Sequence, residues 1–214
     1  MSEQISQNQI KELRKKFSND NHIKVVRNAM IKTNSNELSM DWEKYRKIDH
    51  SFSHVISGEM PATNQKSSGR CWGFAGLNLF RVYLGRKHNL KDFQFSQSYF
   101  MFWDKLEKSN YFLESILSTV EEDFDSRIVM HLLQTPTEDG GQWDMWANLI
   151  KKYGVIPQAE MSESFSSSQS AEMNKMLARK LRENAHDLRK EFSQGSSSEE
   201  LNKLKNKMIE EIFK

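Results

Sequence analysis

One stretch of this chain gathers the residue types of acyl-transfer chemistry: Asn64-Gln65-Lys66-Ser67-Ser68-Gly69-Arg70-Cys71-Trp72-Gly73-Phe74. A thiol is a weak nucleophile until it becomes a thiolate. A cysteine in the first turn of a helix meets unpaired backbone N–H groups and the positive end of the macrodipole, and both favour the anion. Neighbouring Arg70 is expected to add positive charge there. Gln65 lies six residues upstream, and its side-chain amide is a neutral donor that reaches over the turn. With the backbone N–H of Cys71 it makes a two-donor oxyanion hole for a tetrahedral intermediate. Gly73 and Gly76 fall inside the same helix at a cost of about 1 kcal/mol each relative to alanine, and such violations mark close packing or function.

A sulfur nucleophile also needs a histidine beside it, to share its proton and then donate it to the leaving amine, and usually an Asn that orients the ring. The six histidines, His22, His50, His54, His88, His131 and His186, read as surface or packing residues. His186 stands between Ala185 and Asp187 in a charged helix. No histidine spacing matches a metal site, so no metal or other cofactor is expected. Taken alone, Cys71 has a bland reading too, as a small buried hydrophobe. Asp139 and Asp144 need no catalytic account if they are a helix N-cap and a first-turn charge. Trp72, Trp103, Trp143 and Trp146 read as core anchors.

The elements that must position these residues are helical. Apolar residues at steps of three and four predict a helix from Cys71 to about His88. Ser96 is the expected N-cap of a second, carrying Phe100, Trp103 and Leu106, and a third follows near Phe112, Ile116 and Val120. Ile128, Leu132 and Leu133 form a short helix stopped by Thr135 and Pro136, and a helix over Met145 to Tyr153 ends at Gly154. The serine-rich run from Ser162 to Ser170 reads as a loop or linker. Beyond it Met173, Leu177, Leu181, Leu188 and Phe192, then Leu201, Leu204, Met208, Ile209 and Ile212, predict a helical hairpin, with Ser197 and Glu200 spaced as a capping box. Residues 1 to 34 hold two short helices, and the stretch from Asn34 to Gly58 reads as an extended arm. The last apolar stripe has no later segment to cover it, which is expected of a truncated polypeptide.

At 214 residues the chain is long enough to bury a core without staples. Lys plus Arg number 31 against 29 Asp plus Glu, interleaved in sign, so neither a nucleic-acid nor a membrane partner is indicated. No stretch approaches 18 apolar residues, and the opening residues carry no export signal. The single cysteine cannot close an internal disulfide and suits a reducing compartment, so the cytoplasm is expected.

The glutamine, the glycine two before the cysteine, the Cys-Trp pair and the following Phe resemble the active-site segment of papain-like cysteine peptidases. The spelling Asn64 to Trp72 is similar to the aminopeptidase C and bleomycin hydrolase branch. Three further segments agree with that branch, in order: Phe95 to Tyr99 with Phe102 to Lys105, Asp139 to Met145, and Lys152 to Pro157. The resemblance implies an α+β papain-like fold, of which the part present is predominantly helical and the strand-rich half is missing. It implies a peptide substrate trimmed from its N-terminus, catalytic roles for Cys71 and Gln65, and a cleft lined by Gly140 and Gly141, whose bare backbone bonds an extended peptide. It also implies a catalytic His and Asn outside this chain, and a hexameric homo-oligomer for the full-length protein. Secreted papain relatives carry a structural cysteine where Ser68 stands. The expected division is an N-terminal arm over 1–58, the helical half with the nucleophile over 59–161, and the start of a helical insertion over 162–214. On its own the chain is expected to be inactive. The competing reading is a catalytically inactive scaffold or interaction protein that keeps the fold.

Overall fold

The structure, a computed structural model, describes residues 4–55 and 60–214. The chain divides into two compact units, Met1–Val55 and Ile56–Lys214. The expected boundary between residues 58 and 59 lies outside the described residues.

Among the described residues the first unit holds four helices, α1 (Gln7–Asn19), α2 (Asn21–Met30), α3 (Ser35–Leu38) and α4 (Trp42–Arg46). A capping box joins Ser6 and Gln9 at the start of α1, and Asp20 accepts from the Ile23 N–H to open α2. Residues 34 to 46 are not the extended arm expected of them. Asn34 and Asp41 each accept a backbone N–H and start a short helix, which is local Asx chemistry without apolar periodicity. None of these four helices buries a residue.

The second unit contains α5 (Cys71–His88), α6 (Gln97–Ser118), α7 (Arg127–Gln134), α8 (Trp143–Tyr153), α9 (Phe165–Ser168), α10 (Ala171–Ser193) and α11 (Ser198–Phe213). Ser96, Ser126 and Ser197 cap α6, α7 and α11 through their side chains. Gly154, at φ +73°, ends α8 in a conformation that favours glycine. The two helices expected over 97–120 are a single helix. Ser109, midway along it, is fully buried and donates its hydroxyl to the Lys105 carbonyl at 2.7 Å, so its polar group is satisfied inside the helix.

Two cores hold this unit. One is mainly aliphatic and joins α6, α10 and α11 through Phe112, Leu113, Ile116, Leu181, Leu188 and Met208. Burying each of the larger side chains contributes about 1.5–3 kcal/mol before the entropy of ordering it. Leu201, Leu204, Met208, Ile209 and Ile212 all belong to this cluster or pack against it. The stripe expected to lie uncovered is therefore covered from within the chain. The other core is aromatic, with Phe95, Phe100 and Trp146 around Leu77 and Leu149 between α5, α6 and α8.

Short links bring the four sequence segments together in two pairs. The Phe95 segment meets the Lys152 to Pro157 segment: Phe95 and Pro157 form an isolated antiparallel bridge, Ser96 N–H donates to the Ile156 carbonyl at 2.8 Å, and the Tyr99 hydroxyl donates to the Tyr153 carbonyl at 2.8 Å. The cysteine segment meets the glycine pair, where Gly140 N–H donates to the Gly69 carbonyl at 3.2 Å. Among the described residues β structure is limited to isolated bridges.

Candidate active site

Cys71 is the first residue of α5 and is exposed. Its predecessor Arg70 occupies the N-cap position but makes no side-chain cap bond. The first turn of the helix therefore has no side-chain cap on its amides, and the positive end of the dipole lies there.

The loop before α5 is held tightly. Lys66 sits at φ +53°, a left-handed conformation that costs a non-glycine residue on the order of 1 kcal/mol, and its N–H donates to Asn64 Oδ1 at 2.8 Å. Ser68 is buried, donates to the Gln65 carbonyl at 2.6 Å and accepts from Arg70 Nε at 2.8 Å. Gln65 is half-buried. Its side-chain carbonyl Oε1 is enclosed and has no hydrogen-bond partner among the described residues.

Arg70 does not serve as expected. Its side chain is 4% exposed, and the guanidinium lies in a bidentate pair with Glu163, at 2.8 and 2.9 Å, over the Phe74 ring. The positive charge assigned to the thiolate is thus matched by a carboxylate. Burial pushes the Glu163 carboxyl up, but the bonds from Arg70 and Ser167 outweigh it and hold the group below the ordinary carboxylate range.

Small residues let bulky ones reach the backbone here. A Cβ on Gly73 would lie 2.6 Å from the Phe100 ring, one on Gly76 would strike the Trp146 indole, and one on Gly141 would lie 2.7 Å from the Trp72 ring. A groove of about 280 Å³ follows, lined by Trp72, Gly76, Leu79, Gly141, Trp143 and Trp146. Trp146 is a core anchor as expected. Trp143 is not: it is 60% exposed and stacks on Trp146 at 5.2 Å, forming groove wall.

The glycine pair behaves unequally. Gly140, at φ +86°, gives its N–H to Gly69 and receives Lys108 Nζ on its carbonyl at 2.7 Å. Among the described residues Gly141 makes no backbone hydrogen bond, and it borders the groove. Lys108 also donates to Asp104 at 2.9 Å and the Glu138 carbonyl at 3.0 Å, and lies 5.2 Å from the Trp72 ring. Burial pushes the Asp104 carboxyl above the ordinary range, against the pull of Lys108 and Lys105. Asp139 is not a helix cap, because Gln142 holds that position for α8. It pairs with Lys105 at 2.8 Å and accepts from Asn174 at 3.1 and 3.2 Å. Burial raises the Asp139 carboxyl, yet Lys105 and Asn174 bring it below its ordinary value. Asp144 does lie in the first turn of α8.

No histidine of the second unit stands beside the sulfur. His88 ends the helix that Cys71 begins, about 25 Å away at 1.5 Å per residue. His131 and His186 line a separate groove of about 1060 Å³ between α7 and α10. Among the described residues no cluster of His, Cys, Asp or Glu is arranged to hold a metal, and no helix is long and apolar enough to cross a membrane.

Sequence reasoning missed Glu163. It sits in the serine-rich run read as linker, and its partner is 93 residues away. The run is no linker: Ser167 and Ser170 are buried, and the Ser67 N–H and carbonyl bond Ser168 and Ser170 across a parallel bridge.

The model of the Peptidase C1-like family matches residues 4–214. The chain is 50% identical over 162 residues to aminopeptidase C of Listeria monocytogenes, covering 76% of this chain and 36% of that protein. It is 45% identical over 166 residues to bleomycin hydrolase of Gallus gallus, covering 76% and 36%. The crystal structure of PepW from Lactobacillus rhamnosis superposes with a TM-score of 0.87 at 38% identity, over 100% of this chain and 48% of that one. The chain spans less than half the length of each of these three relatives.

Proposed function

The chain belongs to the Peptidase C1-like family of thiol peptidases with the papain-like fold, whose helical part it holds, and from that premise we propose that it carries the nucleophile of a cysteine aminopeptidase. The observation that carries this reading is the placement of Cys71: an exposed sulfur on the first residue of a helix with no side-chain cap. The Cys71 thiolate attacks the carbonyl carbon of the scissile bond. The oxyanion is received by the Cys71 backbone N–H and the Gln65 side-chain amide. A histidine from outside these residues protonates the leaving amine, and water then hydrolyses the thioester. Gly141, with its backbone unoccupied beside the groove, is the member of the glycine pair that bonds an extended peptide. The names of the relatives support N-terminal trimming of peptides as the activity, and resemblance supports a homo-oligomer, a hexamer, in the full-length protein. The single thiol fits the cytoplasm.

With no histidine of the second unit near the sulfur, the 214-residue chain alone is expected to give no turnover of an aminoacyl amide. The full-length protein should hydrolyse it and lose on the order of 10³-fold or more in kcat on Cys71→Ala. Turnover by the chain alone, or full activity in the Cys71→Ala enzyme, overturns the reading. Slow labelling of Cys71 by a thiol probe at neutral pH in the full-length protein favours an inactive scaffold instead.

A further inference from the structure

The Glu163 carboxylate is held by four donors, two on each oxygen. Arg70 and Ser98 donate to Oε1 at 2.8 and 3.1 Å, and Arg70 and Ser167 donate to Oε2 at 2.9 and 2.7 Å. A continuous chain of bonds runs from this carboxylate through the Arg70 guanidinium to Ser68 Oγ, and from Ser68 to the Gln65 carbonyl. One end of that chain is the residue immediately before the thiol, and the other is the backbone of the oxyanion-hole glutamine. A second connection runs alongside, where Ser67 bonds Ser168 and Ser170. The segment from Glu163 to Ser170 is thus a strap that fastens the loop, and none of its residues lines the groove beside α5.

We infer that Glu163 is a positioning residue for the thiol: through buried Arg70 it fixes both the residue that precedes Cys71 and the loop that presents Gln65, and so it acts on turnover without meeting substrate. A bidentate carboxylate–guanidinium pair is suited to this because its planar fork sets orientation as well as distance. The two elements it relates, the attacking sulfur and the oxyanion donor, must hold their mutual geometry to a fraction of an ångström, since a misplacement near 1 Å costs about 100-fold in rate. The inference rests on the nucleophile reading of Cys71.

The test uses the full-length enzyme and measures kcat, KM and melting temperature for wild type, Cys71→Ala, Glu163→Gln, Glu163→Asp and the double variant Arg70→Met/Glu163→Leu. Glu163→Gln should lower kcat about 100-fold with KM within about twofold, and Glu163→Asp should recover part of the loss. Replacing both charges by apolar side chains removes the unpaired buried ion, so the double variant should melt near wild type while kcat stays low. Glu163→Gln with wild-type kcat overturns the inference. So does a double variant that regains both melting temperature and kcat, because the pair is then only a brace. If Glu163→Gln fails to fold, the double variant decides. Full turnover in Cys71→Ala removes the nucleophile reading itself, whereas loss in Cys71→Ala with an unaffected Glu163→Gln removes this inference alone.

Discussion

The two cores of the second unit are built on opposite principles. The α6–α10–α11 core is largely aliphatic, with Leu113, Ile116, Leu181 and Leu188 fully buried. Side chains there meet side chains, and stability depends mainly on filled volume. The core under α5 is aromatic and meets backbone: Phe100 lies against Gly73 and Trp146 against Gly76. Trp72 crosses Phe100 edge to face at 4.9 Å. Rings pressed on glycines define where a helix sits, so this core fixes the place of Cys71, the proposed nucleophile, as much as it stabilises the chain. The contrast separates what keeps the molecule folded from what aims its chemistry.

Truncation in the aliphatic core should give the largest effect on stability. Leu188→Ala is expected to cost about 2–5 kcal/mol in denaturant unfolding while leaving the alkylation rate of the folded Cys71 thiol unchanged. A large change in that rate would show that the two cores are not independent. Gly76→Ala should cost about 1–3 kcal/mol, less than the truncation, because its Cβ displaces the Trp146 indole and outweighs the gain in helix propensity. Unlike Leu188→Ala it should change thiol alkylation in the folded state. If stability falls and reactivity does not, the aromatic core has no aiming role.

The smallest effect is electrostatic. Glu163 and Asp139 are held below their ordinary values of 4.5 and 3.8. Their contribution is complete above those values and is lost as pH falls through the lower folded-state ones. Both are partly exposed, so solvent screens the loss. Buried Asp104 works in the opposite sense: its raised value favours the fold at low pH and that support fades as pH rises. Melting temperature measured from pH 6 downward should therefore fall only modestly in wild type, and by less in Glu163→Gln. An equal fall in both would remove Glu163 from the account.

Local chemistry was legible in advance wherever the sequence carries it locally. Ser96, Ser197 and Gly154 announce helix ends by their own side chains or backbone, and those ends stand where they were read. The papain-like identity was legible too, because four separated segments spell it. What stayed hidden is long-range. Arg70 beside Cys71 reads as a helper of the thiolate until Glu163 arrives from the far side of the chain. Asp139 reads as a cap until Lys105 and Asn174 claim it. Each error treats a charged or polar side chain as answering to its neighbours in sequence, when its partner in space sets its role.

Ser68 has a consequence for how surroundings reach this molecule. Its hydroxyl bonds with Gln65 and Arg70 fasten the loop without any covalent link. A reductant thus finds no sulfur–sulfur linkage to open in this chain, and peroxide finds one cysteine, whose sulfenic acid a thiol can return to its starting state. Thiol–disulfide exchange therefore meets this chain at Cys71 alone.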